Sequence, residues 1–239
     1  ADASTAGDSP FSEWWRRSAP PPDLAHDLQF RACPVCQHLA GMTADFFAHW
    51  QYALYVDDRA RRDHAAHRGF CPQHAWQLEA LSSPVGVAVG QARLLENYAR
   101  ALAAAANAPS PGQFLRGLVQ DQAHCRLCQQ IRGMEAAYIA RLAAYLGETE
   151  NRDNYARAQG PCLRHLAMLV SQGKDGALAE FLLRAAAKRM EAMAGDLHAF
   201  GLKSEGLCRY LLNGDEQDAP WRAVTHLAGL RNLCLPPGG

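Results

Sequence analysis

The chain has 239 residues, 24 Lys and Arg against 24 Asp and Glu, and a formal net charge of zero. That balance leaves no global field to draw in nucleic acid or an anionic membrane. The length is enough to bury a sizeable core as one large domain or two small ones. No apolar run is long enough to span a bilayer, and the first residues lack the basic-plus-apolar layout of a signal peptide.

In chain order, residues 1–22 read as a flexible segment that ends in the linker Pro20-Pro21-Pro22, since successive prolines cannot continue a helix. Within it Phe11 to Arg17, with Trp14 and Trp15, reads as a short docking helix. Beyond the linker Ala, Leu and Arg dominate and strand-like alternation is absent, so the fold class is all-α. A helix is expected from Cys36 to about Val56, with Phe46, Phe47, Trp50 and Leu54 on its core face. Residues 57–70 are polar and read as an exposed return segment. Further helices are expected from Cys71 through Trp76, Leu78 and Leu81, and from Val87 to about Asn107. The same order then recurs: a helix from Cys128 to Leu146, a polar segment 147–160, a helix from Cys162 to Val170, and a long one from Ala177 to about Phe200. From Gly206 the tail has no counterpart. Trp221, Val224, Leu227 and Leu230 at helical spacing there predict a capping helix.

One ligand pattern occurs twice. Cys33-Pro34-Val35-Cys36 is followed, after 34 intervening residues, by Cys71-Pro72-Gln73-His74. Cys125-Arg126-Leu127-Cys128 is followed, after 33, by Cys162-Leu163-Arg164-His165. The match extends beyond the ligands. At an offset of 92, Gln37, Gly41 and Met42 fall on Gln129, Gly133 and Met134. Phe46 faces Tyr138 and Phe47 faces Ile139. At an offset of 91, Gly69 falls on Gly160. This is an internal repeat of about 90 residues. It predicts two tandem helical units in a bundle, 23–111 and 112–205, each organised around a Cys3His metal site, followed by a cap over 206–239.

Three thiols and one imidazole make the ligand set of a closed tetrahedral site. Proline after Cys33 and Cys71 suits the first helical position, so each first ligand is expected as an N-cap and its partner one turn in. The free N–H groups and positive end of the helix dipole then favour thiolate, the metal-binding form. The second repeat has Arg126 and Leu163 in place of these prolines, and its site is expected to be looser. Pairing is expected within a repeat: Cys33, Cys36, Cys71 and His74 at one centre, Cys125, Cys128, Cys162 and His165 at the other. That pairing requires residues 57–70 to be partly extended, because a helix of about 20 residues carries the chain roughly 30 Å away from the site. Exchange of half-sites between repeats stays open.

Repeated Cys-x-x-Cys and Cys-x-x-His spacings point to metal in a reducing cytosol rather than to disulfides. Zinc is the first reading of both centres. A pair of [4Fe–4S] clusters with three Cys and one His is the alternative, for electron transfer or redox sensing. Cys208 and Cys234 read as incidental, with a redox pair or a supplementary set with His226 as the sharper possibility. His38 and His124, beside ligand cysteines, are candidate outer donors. The basic residues Arg59, Arg61, Arg62 and Arg68 with His64 and His67 read as a solvated return loop, or else as an anion or partner site at the metal's edge. No phosphate loop or nucleophile motif occurs. The expected function is a non-enzymatic, cytoplasmic, zinc-pinned helical scaffold for a protein partner. A thiol enzyme using the Cys-x-x-Cys pairs is a third possibility.

The motifs Cys33 to Cys36, Gly69 to His74, Cys125 to Cys128, Gly160 to His165 and the segment Trp221 to Val224 together resemble a bacterial and archaeal family of helical proteins. The resemblance covers most of the chain from about residue 30. It implies a helical fold and the two ligand sets, and no activity.

Overall fold

In a computed structural model the described residues are 9–18, 22–172, 176–204 and 206–230, and they are helical throughout, with no strand among them. The elements are α1 (Pro10–Ser18), α2 (Leu24–Asp27), α3 (Pro34–Val56), α4 (Asp58–Ala66), α5 (Pro72–Leu81), α6 (Pro84–Ala105), α7 (Pro111–Leu118), α8 (Arg126–Gly147), α9 (Thr149–Arg157), α10 (Leu163–Gln172), α11 (Gly176–Lys203) and α12 (Gly214–Ala228), with a 3-10 turn at Gly206–Leu211.

The chain forms two compact units. Among the described residues the first contains 9–18 and 41–133, and the second 22–40 and those from 134 to 230. Sequence periods and compact units are therefore cut at different places. The opening turns of α3 belong to the second unit and its remainder to the first; α8 divides the opposite way.

The first unit is built on an aromatic core. Phe46, Phe47 and Trp50 are fully buried on α3, as their helical spacing predicts. Phe11 of α1 meets Phe46 and Trp50 edge-on at 5.2 and 5.8 Å, and Trp15 stacks on Phe46 at 5.2 Å. The helix read at Phe11 to Arg17 is thus present and buries three aromatic side chains.

The matching positions of α8 build the second core: Tyr138, Ile139, Leu142 and Leu146 are buried where α3 has Phe46, Phe47, Trp50 and Leu54. Tyr138 donates its hydroxyl to Asp27 at 2.9 Å, which gives a buried phenol a partner. Arg189 covers the ring of buried Tyr155 at 4.4 Å.

Two sequence expectations need correction, and one helix lies where no element is expected. Residues 57–70 and 147–160 are not extended returns but contain α4 and α9. Asp57 caps α4 by accepting from the Arg59 N–H at 2.8 Å, Asp58 pairs with Arg61 and Arg62 one turn on, and Ala60, His64 and Ala65 form a buried face. The many charges of this stretch are thus the outer side of a helix. Helix α7, after Pro111, was not anticipated; its Phe114 and Leu115 are partly exposed and it packs against α6. The capping helix α12 exists, but it docks through the face opposite the apolar stripe. Glu216 pairs with Lys203 at 2.7 Å, Arg222 with Asp196 at 2.7 Å, and His226 donates from Nε2 to the Gln159 carbonyl at 2.7 Å. Trp221, Val224 and Leu227 face outward.

Candidate metal centres

All four first ligands, Cys33, Cys71, Cys125 and Cys162, immediately precede a helix, and the carbonyl of each accepts the first intrahelical hydrogen bond, at 2.8 to 3.0 Å. Cys33 and Cys71 are N-caps as expected, with prolines at the first position of α3 and α5; Cys125 and Cys162 take the same position without proline. Cys36, His74, Cys128 and His165 come one turn later, on the same side of their helices.

The ligands meet in two groups of four, and the grouping crosses the repeats. Cys71 and His74 of the first repeat join Cys125 and Cys128 of the second; Cys33 and Cys36 join Cys162 and His165. Pairing within a repeat is thereby overturned. The reason is the helicity of α4. Helix α3, with 23 residues, runs about 34 Å. Helix α4, with nine residues, recovers at most about 14 Å. With α4 folded, only residues 57 and 67–70 are left to make up the remaining distance of about 20 Å, and Cys71 ends beside Cys125 and Cys128 rather than Cys33. The exchange gives each compact unit one complete group, made from the starts of α5 and α8 in the first unit and of α3 and α10 in the second.

In the first unit the sulfurs of Cys71, Cys125 and Cys128 lie 3.4, 3.6 and 3.3 Å from His74 Nδ1. Cys71 and Cys128 sulfurs are 3.6 Å apart. In the second unit the sulfurs of Cys33, Cys36 and Cys162 lie 3.3, 3.4 and 3.2 Å from His165 Nδ1, with Cys36 and Cys162 sulfurs 3.9 Å apart. All eight residues are buried, all six cysteines are free of disulfides, and each group can hold a metal ion.

The exchange also removes the expected contrast between a proline-capped site and a looser one. Each group takes one proline-started helix, α5 or α3, and one without, α8 or α10. What distinguishes the groups is a carboxylate that the ligand spacing does not single out. Glu135, buried on α8, accepts from His165 Nε2 at 2.8 Å and from Arg164 at 2.9 and 3.1 Å. Burial alone would raise its pKa, but these donors hold it down at about 2. A carboxylate on the distal nitrogen fixes the tautomer that leaves Nδ1 free for a metal, and raises its basicity. At the repeat-related position the first unit has buried Thr43. The legible signal for Glu135 was an acid on an otherwise apolar helix face, between Ile131 and Tyr138.

Each group sets one thiolate beside its imidazole, while burial holds Cys33 above the ordinary thiol range and the hydrogen bonds to Cys125 and Cys71 do the same for Cys128. Burial opposes charge on His74, yet the Cys125 and Cys71 sulfurs push its pKa up to about 9. Burial likewise opposes charge on His165, and Cys162, Cys36 and Glu135 push it up to about 11. Cys125 is held far below the ordinary thiol range by hydrogen bonds from Cys128, Cys71 and His74, and Cys162 by those from Cys33, Cys36 and His165.

Two glycines shape the approach to the ligands. Gly69 and Gly160, each two residues before a Cys-x-x-His cysteine, have φ of 69° and 72°, a conformation that L side chains rarely adopt. Gly229, at φ 78°, closes α12 against the second group, where an added Cβ would stand 3.4 Å from Cys36 Sγ and 3.7 Å from Cys162 Sγ. The cap thus covers a metal group rather than only a core.

The candidate outer donors lie elsewhere: His38 packs on Tyr138 at 5.1 Å, and His124 pairs with Asp121 at 2.7 Å. His226 is tied to backbone carbonyls of Gln159 and Arg222. The side chain of Cys208 and the whole of Cys234 lie outside the described residues.

Fold and site together define an all-helical protein with two buried Cys3His groups, each assembled from both halves of a duplicated sequence. Residues 28–229 match the model of a family of unknown function, DUF6062, and the chain belongs to that family. Comparison with curated proteins and with solved structures gives no match.

Proposed function

We propose that each Cys3His group holds one zinc ion as a closed structural centre, and that the two centres pin a non-enzymatic helical scaffold for a protein partner. The spacing of the ligand atoms carries this reading. Around one zinc, with Zn–S about 2.3 Å and Zn–N about 2.0–2.1 Å, tetrahedral geometry sets S···S edges of about 3.8 Å and S···N edges of about 3.6 Å. Eight of the edges here run from 3.2 to 3.9 Å, and all four ligand atoms of each group lie within 4.8 Å of one another. A [4Fe–4S] cube would hold its ligand atoms about 6 Å apart, because an iron and its sulfides stand between each pair. Four buried protein ligands fill a tetrahedron and leave no position for a substrate, the arrangement of structural rather than catalytic zinc. Free cysteines with these spacings suit a reducing, cytoplasmic setting.

The scaffold part is supported by the outward stripe of Trp221, Val224 and Leu227 on α12, since exposed apolar surface of this kind is characteristic of interaction sites. No helix among the described residues is long and apolar enough to cross a membrane.

Metal analysis of protein purified without air tests the first part. Two zinc per chain and no visible absorption are expected; iron with broad absorption near about 400 nm would overturn it. For the second part, a purified partner that binds the wild type must lose affinity for the double variant Trp221→Ser, Leu227→Ser. Equal affinity for both would remove this face from the reading.

A further inference from the structure

Each compact unit has an open cavity at the repeat-related place, where the loop before the Cys-x-x-His helix meets the segment leading into the Cys-x-x-Cys helix. Their volumes are nearly equal, about 410 Å³ in the first unit and about 420 Å³ in the second. The duplication has kept the cavity and changed its chemistry. In the second unit the basic groups of the wall are occupied. Arg31 pairs with Asp215 and Asp218, and Arg157 donates to Asn154. Where that wall has Ala158 and Gln159, the first unit has His67 and Arg68.

The first cavity is lined by Arg68, Arg116 and Arg126 with His67 and His124, and by the single carboxylate Asp121. Asp121 is engaged by the backbone N–H and ring of His124 at 2.8 and 2.7 Å. Arg126 is fixed as part of the wall, paired with Asp63 at 2.9 Å and lying 4.4 Å over the Phe11 ring. Asp63 also faces His67 at 3.3 Å. Arg68 and Arg116 have no acid within ion-pair range among the described residues. Arg68 donates to the Gly117 carbonyl and is presented from a backbone at φ 60°, the one non-glycine residue with positive φ among those described. A residue with a Cβ is disfavoured there. Glycine would serve the turn better, so the turn itself does not account for an arginine.

We propose that this cavity binds a small molecule through a phosphate group, with Arg68 and Arg116 as the two forks that grip it. Guanidinium forks match phosphate oxygens bidentately, and the wall adds His67 and His124 as further donors, while the Gln120 amide braces it by donating to the His67 carbonyl at 3.1 Å. The volume exceeds what one phosphate ion fills, so the group is carried by an organic phosphate or else is the free ion in water. This reading turns the basic stretch around His67 and Arg68 into a ligand site. It does not depend on which metal the centres hold.

The test is calorimetric titration of the full, metal-loaded chain at constant ionic strength with three probes: ribose 5-phosphate, inorganic phosphate and succinate. Saturable binding of at least one phosphate is expected, with succinate at least tenfold weaker. Tighter binding of the sugar phosphate marks an organic ligand; equal affinity marks the free ion. Arg116→Gln and Arg68→Gly are each expected to weaken binding at least tenfold. Arg116→Gln should leave the melting temperature unchanged. Arg68→Gly should leave it unchanged or raise it, because the substitution relieves a positive-φ position. Wild type that binds neither phosphate, succinate that binds equally well, or both variants binding like wild type would each overturn the proposal.

Discussion

Glu135→Gln is the substitution that separates the two metal groups. Glutamine keeps the shape, accepts from His165 Nε2 through its carbonyl, and loses the charge. Glu135 is 3 % exposed and serves both His165 and Arg164, so its charge acts where screening is weak. The carboxylate is lost, and Arg164 meets an amide in its place. Removing such an outer partner typically costs 10–100-fold in metal affinity, about 1.4–2.7 kcal/mol at about 1.36 kcal/mol per decade. The loss should fall on the Cys33, Cys36, Cys162, His165 group alone, because Glu135 belongs to that unit. Zinc release to a chromophoric chelator should change from two similar steps, or one tight and one tighter, to a clear early equivalent followed by an unchanged one. Arg164→Gln, which leaves the carboxylate on His165, should have a smaller effect. If Glu135→Gln released both equivalents as the wild type does, the carboxylate would not be tuning the metal.

Zinc affinity should climb with pH, because metal must displace protons from imidazoles whose metal-free pKa values are about 9 for His74 and about 11 for His165. Both are raised, so the proton competes across the whole neutral range, and chelator competition between pH 6 and 8.5 should show at least about tenfold per pH unit. A pH-independent affinity would contradict the protonated-imidazole picture. Gly160→Ala should lower stability by about 1–2 kcal/mol, since the residue is at φ 72° and a Cβ would collide with the Arg189 guanidinium; thermal unfolding checks it. Gly41→Ala, with open space around the added Cβ inside α3, should instead be neutral or mildly stabilising.

The ligands, their N-cap positions and the aromatic face of α3 were legible because each is a local property: spacing, proline at the first helical position, and period. The pairing of half-sites was not. It depended on whether residues 57–70 were extended or helical, and their charge suggested exposure without showing that Ala60, His64 and Ala65 make a buried stripe beneath it. The face of α12 was misjudged for a related reason. Trp221, Val224 and Leu227 have the period of a core stripe, yet Glu216, Arg222 and His226 each find a specific polar partner, and the helix docks through them. Glu135 was missed because its partner His165 lies 30 residues away on another helix, and spacing within α8 says nothing of which helix end packs against it.

The most direct test of the account is the zinc content of two double variants after a chelator challenge. Cys36→Ser with Cys162→Ser removes two ligands of one group and should leave one zinc per chain. Cys36→Ser with Cys71→Ser strikes both groups and should leave none. Centres assembled within each sequence repeat would give the reverse, none for the first pair and one for the second, and that result would contradict the exchanged architecture.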